Sequence, residues 1–377
     1  MYNLYLTCPR GLEEALHKEI QSEITQPISI ENGGVSFKGD IKDIYRINYI
    51  TRIGMNLHVE LFADNISNYN NLYDSIYKYN WNNIISPANT FAIKTKIQSD
   101  VFTKQNFCTM KIKDAIVDKI REVNSKRPSV DKKNPDFNIF VYIKNNKIKV
   151  FLNSSGWPLF MRGYRSKIHK AALNESLAAG ILQLTKWNKK DPIYDPMCGS
   201  GTFVIEAAMI AFNIPPRFLR SHYGFKKWKN FDSNLWESII KEENQKINYN
   251  NISFYGSDIM NNNIKIAQTS IDKLELGNYI NLVTKDFKQI FPNEDQGIFI
   301  CNPPYGDRIG DTEKLKLLYK SIGDHLKNNF QGFEGYIFTG NLELLKFIGL
   351  RTKQKIILKN GMIDSRLAYY PLKKGKY

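Results

Sequence analysis

A formal net charge of +16 over 377 residues, with a pI near 9.4, points to a polyanionic partner. No apolar run approaches the ~20 residues of a spanning helix, so nucleic acid is favoured over a membrane; a plain lysine- and asparagine-rich bias is the competing explanation. At 42% hydrophobic and 24% charged the chain reads as soluble and globular, and its length predicts two or three domains.

Residues 1–60 predict a small α+β unit with a split β-α-β arrangement. Residues 2–7 alternate as a strand, and Leu12, Ala15, Leu16, Glu19 and Ile20 carry helical spacing after a turn at Pro9-Arg10-Gly11. Ile28–Ile30 and Val35–Phe37 read as a hairpin across Gly33-Gly34. Asp40 caps a helix bearing Ile41, Ile44, Tyr45 and Ile47, and Met55–Phe62 is a further strand.

Residues 61–155 predict a second α+β unit. Its elements are a helix at Leu72–Tyr79, a strand at Thr90–Ile97, a helix at Phe107–Val123 and a basic loop at Lys126–Pro135. A hairpin of Phe137–Ile143 and Lys147–Leu152 turns at Asn145-Asn146. Lys111, Lys113, Lys126 and Arg127 head a concentration of positive charge. A solvated helix face explains part of it, and a phosphate-contacting patch is the favoured reading. In the connector Gly156–Arg165, aromatics alternate with Arg162 and Arg165, which suits RNA contact and inter-domain packing equally.

Residues 156–377 predict an α/β domain. Helices are expected at Ala171–Trp187, Thr202–Phe212, Asn261–Leu276 (closed by Gly277), Leu315–Lys327 and Leu342–Ile348. Strands are expected at Ile193–Asp195, Ser253–Asp258, Ile280–Asp286, Ile298–Cys301 and Gly335–Thr339. Alternating β and α predicts a doubly wound, mostly parallel sheet, and a closing hairpin across Asn360-Gly361 makes the last strand antiparallel. Asn213–Asn250, with Arg217, Arg220, His222, Trp228 and Trp236, is an insertion that either lies over the pocket and touches RNA or packs as a surface excursion.

Four cysteines, Cys8, Cys108, Cys198 and Cys301, lack C-x-x-C spacing and the five histidines do not cluster, so neither a metal site nor a disulfide framework is expected. The opening Met-Tyr-Asn-Leu-Tyr-Leu has no signal-peptide pattern, and a reducing cytoplasm fits best.

The chemistry concentrates after Ile193-Tyr194-Asp195. Met197-Cys198-Gly199-Ser200-Gly201-Thr202 is a glycine-bearing turn into a helix, where backbone N–H groups face a ligand. Val204 replaces the third glycine of a dinucleotide loop, and the G-K-[ST] of a phosphate loop is missing. A carboxylate at Asp195 beside those N–H groups suits a ligand with a cationic amino-acid end, and S-adenosylmethionine is the reading that fits. Asp258 ends the next strand about sixty residues on, against the ~20 of a dinucleotide fold, and can accept from ribose hydroxyls. Asp286 can accept from an adenine amino group; Ile259 and Phe287, next to these acids, complete the candidate cofactor set.

Asn302-Pro303-Pro304-Tyr305 is the second signal. Two prolines stiffen a strand end, and the Asn302 side-chain oxygen and Pro303 carbonyl can accept both N–H bonds of an exocyclic amine. Its lone pair then faces a sulfonium methyl, while Tyr305 stacks on the base.

With these residues in place the chain resembles the THUMP-domain class I RNA methyltransferases, and is similar to the N-terminal half of bacterial 23S rRNA guanine-N2 methyltransferases. The resemblance rests on Thr7-Cys8-Pro9-Arg10-Gly11-Leu12-Glu13, Gly33-Gly34-Val35, Met161-Arg162-Gly163-Tyr164-Arg165, Asp195–Thr202, Tyr255-Gly256-Ser257-Asp258 and Asn302–Gly306. It implies a ferredoxin-like unit, an RNA-gripping THUMP unit and a Rossmann-like methyltransferase domain. It also implies cofactor contact by Asp195, Gly199, Gly201, Asp258 and Asp286, and a target base held by Asn302 to Tyr305. Ala172-Leu173-Asn174-Glu175 departs from the family's Pro-Leu-(Lys/Arg)-Glu, and with no second methyltransferase module a single modification is expected. Transfer RNA as target, adenine-N6 or glutamine-N5 methylation, and a non-catalytic assembly role are the alternatives.

Overall fold

The computed structural model describes residues 1–165, 173–306 and 312–375. In β1 (Tyr2–Thr7) the pleat sends Leu4 and Leu6 into the core and Asn3, Tyr5 and Thr7 to the other face. Then follow α1 (Glu13–Ile20), β2 (Ile28–Glu31), β3 (Gly34–Gly39) and α2 (Ile41–Ile50). Asp40 and Asp43 open α2 with a reciprocal capping box, a device that contributes about 1 kcal/mol. The remaining elements of this half are β4 (Asn56–Asn65), α3 (Tyr69–Lys78), β5 (Thr90–Gln98), α4 (Gln105–Asn124), β6 (Ser129–Val130), β7 (Phe137–Lys144) and β8 (Lys147–Asn153).

The two α+β segments share one sheet, ordered β2-β3-β1-β4-β8-β7-β5-β6. The join is β4 against β8, antiparallel from His58↔Asn153 to Asn65↔Lys147, with a bulge between Glu60 and Phe62. Cross-strand partners point the same way, so Leu4, Val59, Leu152, Ile139 and Ile93 fall on one face, where the helices cover them. Among the described residues no helix covers the opposite face.

The second half begins with α5 (Glu175–Leu184), β9 (Ile193–Asp195), α6 (Thr202–Ala211), α7 (Ser233–Asn244) and β10 (Phe254–Asp258). It continues with α8 (Asn261–Lys273), β11 (Ile280–Thr284), β12 (Ile298–Cys301), α9 (Thr312–Asn329), β13 (Glu334–Thr339), β14 (Gln354–Asn360) and β15 (Ile363–Pro371). The sheet order is β11-β10-β9-β12-β13-β15-β14, with β9 to β13 parallel and β15 antiparallel to both neighbours. Chain order reverses between β9 and β12. The crevice beyond the carboxyl ends of strands at such a reversal is where doubly wound sheets bind ligands.

Three expected helices differ. The one from Asn261 stops at Lys273, because Glu275 turns left-handed (φ 57) and brings Leu276, fully buried, back to bond Ile271 O. Leu342–Ile348 contains only a 3₁₀ turn, Leu344–Phe347, too short to close successive α bonds. The helix expected from Ala171 begins at Glu175, where Asn174 caps Leu177 N, and ends before Trp187; residues 166–172 lie outside the described residues.

Of the two readings of Asn213–Asn250, packing is the one observed. Arg220 donates to the carbonyls of Ser155, Trp157, Pro158 and Met161, and the buried Arg217 to those of Thr51 and Gly54. On α7, Trp236 meets Tyr45 and Tyr49 of α2 edge-on at 6.1 and 5.6 Å. The insertion therefore clamps one half of the molecule to the other.

Candidate active site at the reversal of the C-terminal sheet

Asp195 ends β9 at 2% exposure, and its carboxylate accepts from Met197 N at 3.3 Å. Burial holds its carboxyl well above the ordinary range; Asp258 adds to the rise and the Met197 bond opposes it. Gly199 (φ 53) and Gly201 (φ 76) both take the left-handed conformation that other residues avoid. A Cβ on Gly199 would meet open space, whereas one on Gly201 would lie 3.0 Å from the Ala267 methyl on α8. The turn is tied to β10 by Cys198 N, which donates to Ser257 O at 2.9 Å.

Asp258 accepts from Gly199 N at 3.0 Å, Met260 N at 2.8 Å and Asn263 Nδ2 at 3.1 Å. Three bonds leave one of a carboxylate's roughly four acceptor positions for a ligand hydroxyl. Helix α6 starts without a side-chain cap, so its first N–H groups are available to an anionic ligand group. Asp286, half-buried beyond β11, accepts from Lys288 N at 2.9 Å; Phe287 is buried, and Ile259 is 71% exposed.

On the other side of β9, β12 delivers Asn302. Its Oδ1 is buried without a hydrogen-bond partner among the described residues, as are the hydroxyls of Ser200 and Ser257. Buried acceptors left so are uncommon and mark a place for a bound donor. Pro303 is buried and Pro304 exposed. Tyr305 is half-buried and held from three sides. Asn360 Nδ2 donates to its hydroxyl at 3.3 Å, Asn341 Nδ2 to its carbonyl at 3.4 Å, and a Cβ on Gly340 would come within 3.1 Å of its ring.

Arg162 and Arg165 require correction as RNA contacts. Arg162 is 2% exposed and bonds the fully buried Glu206 at 3.3 and 3.2 Å, Leu159 O at 2.9 Å and Arg52 O. Tyr164 donates to the same carboxylate at 3.1 Å. Arg165 pairs with Glu175 at 3.2 Å and donates to Thr202 Oγ1 and Leu173 O. Desolvation forbids leaving such cations unpaired, so the connector's arginines lock it to α6 and α5 instead of meeting phosphate. Glu206 and Glu175 are the residues that sequence reasoning passed over; a glutamate inside the apolar run Thr202–Ala211 is the signal.

The basic stretch also splits. On α4, Lys113 pairs with Asp114, Lys119 with Glu122 and Arg121 with Asp118, while Lys111 lies over the Tyr73 and Phe107 rings. Carboxylates one residue away (Asp114) or one turn away (Glu122, Asp118) thus neutralise much of the helix's charge. Lys126 and Arg127 are exposed in the following loop.

A doubly wound sheet with its last strand antiparallel, an acid at the end of β9, a two-glycine turn and an Asn-Pro-Pro-Tyr turn at β12 define a class I methyltransferase using S-adenosylmethionine. Residues 3–55 match the RlmL ferredoxin-like domain, 67–153 the THUMP domain, and 162–368 the RMKL-like methyltransferase domain. The chain belongs to the RMKL-like methyltransferase family.

Among its relatives, a Synechocystis sp. protein provisionally named RNA methyltransferase slr0064 is 35% identical over 98% of this chain and 96% of its own length. The ribosomal RNA large subunit methyltransferase K/L of Cellvibrio japonicus is 33% identical over 99% of this chain, which spans only 51% of that protein. The solved structure of SMU.472, provisionally called a methyltransferase and complexed with SAH, superposes with a TM-score of 0.88 at 27% identity, covering 100% of this chain and 99% of that one.

Proposed function

We propose that the chain methylates the exocyclic N2 of a guanine in RNA, with 23S ribosomal RNA as target. The observation that supports this most is the Asn302 Oδ1 atom, a buried acceptor without a partner among the described residues, just past the end of the strand next to the donor-loop strand. The names of the relatives support an RNA substrate; Asn302–Tyr305 by itself supports methylation of an amine nitrogen, and the whole-chain resemblance, N-terminal motifs included, supports guanine N2.

When bound, S-adenosylmethionine supplies an electrophilic methyl on a sulfonium. Asp195 would receive its cationic amino group, the N–H groups opening α6 would receive its carboxylate, and Asp258 would accept from a ribose hydroxyl. Met197, Cys198, Ser200 and Thr202 line the turn, and Ile259, Asp286 and Phe287 bound the adenine side. Asn302 Oδ1 and the Pro303 carbonyl accept the amine's two N–H groups, Pro304 stiffens the turn, and Tyr305 stacks on the base. Held so, the amine would attack while neutral: its N–C bond would form as the sulfonium's C–S bond breaks, the thioether product would leave and the proton would pass to solvent afterwards, so positioning supplies most of the rate. Residues 1–60 and 61–155 deliver the RNA to residues 156–377, and the four buried free thiols suit a reducing cytoplasm.

The test is mass-spectrometric mapping of modified nucleosides in ribosomal RNA from cells with the protein, without it, and with the Asn302→Ala variant. One N2-methylguanosine is expected only with the native chain. Loss of an N6-methyladenosine instead, or no change, overturns the reading.

A further inference from the structure

The helix-free face of the eight-stranded sheet forms a groove of about 1470 Å³. Strand register lines up its side chains: Tyr5 lies opposite His58, Phe151 opposite Phe140, Phe140 beside Lys94, and Tyr142 between Lys149 and Lys96. The rings form one row across β1, β4, β8 and β7, with centroids 6.5 Å apart for Tyr5–His58, 5.0 Å for His58–Phe140 and 5.9 Å for Phe140–Phe151. Tyr5, Phe140 and Tyr142 are half-buried, so each keeps a surface open to the groove.

Charge is one-sided here. The groove wall carries Arg10, Lys38, Lys94, Lys96, Lys144 and Lys149, six cations, against two carboxylates, Glu31 and Glu60. At its floor His58 is 7% exposed, and its Nδ1 has no hydrogen-bond partner among the described residues. Burial, with Lys94 nearby, pushes its pKa down to about 3, so the ring is neutral near pH 7. A neutral aromatic floor inside a cationic wall suits a ligand that presents flat faces and a polyanionic backbone together. Single-stranded nucleic acid does so, whereas the bases of a duplex are already stacked on each other. One end of the groove is formed by Gly156 and Pro158, from the connector that leads to Arg165 and, through it, to Thr202 at the start of α6.

We propose that this helix-free face grips a single-stranded RNA segment, with bases on Tyr5, Phe140 and Tyr142 and phosphates on Lys94, Lys96 and Lys144. It is a grip distinct from the Lys126–Arg127 loop, and it rests on the reading of the chain as an RNA methyltransferase.

The test uses the full chain and fluorescence anisotropy with a single-stranded 12-mer RNA and its duplex, over a salt series. Lys94→Ala/Lys96→Ala is expected to lower single-strand affinity about tenfold and to shrink the salt slope by about 1.4, the value for two phosphate contacts on a single strand. Tyr142→Ala is expected to lower affinity about tenfold with the slope unchanged. S-adenosylmethionine affinity, unchanged in both, certifies that the variants are folded. Native affinity in both groove variants, with the loss appearing instead in Lys126→Ala/Arg127→Ala, overturns the groove while leaving the RNA reading intact. Failure of the native chain to bind either RNA overturns both.

Discussion

Asp195 pits stability against binding. Its burial favours the protonated carboxyl, so in the ligand-free protein ionisation costs stability that is recovered as pH falls through the raised pKa. A cationic ligand group reverses the preference. Donor affinity is therefore expected to fall on acidification, beginning above the ~3.9 of a free aspartate, with proton release on binding at acidic pH. Asp195→Asn is expected to weaken S-adenosylmethionine about 10- to 100-fold, flatten the pH profile and raise unfolding stability by about 1 kcal/mol. Calorimetry in two buffers of different ionisation enthalpy, with a urea melt, measures all three; unaltered affinity contradicts the assignment. The strand-end placement of Asp195, Asp258 and Asn302 is legible in the sequence, because Asp195 and Asn302 follow apolar runs and Asp258 closes Phe254-Tyr255-Gly256-Ser257, and strand ends are where a doubly wound sheet keeps its chemistry. The fates of Arg162 and Arg165 are not, since an arginine's surroundings depend on its acid, and for Arg162 that acid lies 44 residues away.

At the scale of elements, the connector is fixed to α6 by one buried charge set. Glu206→Ala strands Arg162 and is expected to cost about 3–5 kcal/mol in a urea melt. The paired replacement Arg162→Met/Glu206→Leu is expected to recover most of that, because it removes both charges and fills the volume. A loss no larger in the single variant than in the pair would show that the ion pair contributes nothing. Strands and long helices follow the apolar spacing closely, since core burial decides both. The ends of elements do not: Glu275 takes a left-handed turn usually given to glycine, and Leu344–Phe347 winds into a single 3₁₀ turn too short to close successive α bonds. Nor does spacing reveal that β4 pairs with β8, since register between distant strands is set by the shared core beneath them.

Across the whole molecule, the Asn213–Asn250 clamp makes the two halves depend on each other. Removing residues 1–155 would leave Arg217 without its Thr51 and Gly54 acceptors and expose Trp236. The remaining fragment is expected to aggregate or to melt well below the intact chain in calorimetry, and a fragment as stable as the whole would contradict the clamp. The N-terminal half and the methyl-transfer site are therefore best interrogated in one intact chain, where a single side chain separates binding from chemistry. Transfer of labelled methyl from S-adenosylmethionine to protein-free 23S ribosomal RNA by the native chain and by Asn302→Ala, with the product nucleoside identified after digestion, is the most direct measurement. The expected result is N2-methylguanosine from the native chain and a rate at least about 100-fold lower for Asn302→Ala, with donor affinity within about twofold. Undiminished transfer by Asn302→Ala, or a label on adenine N6, would contradict it.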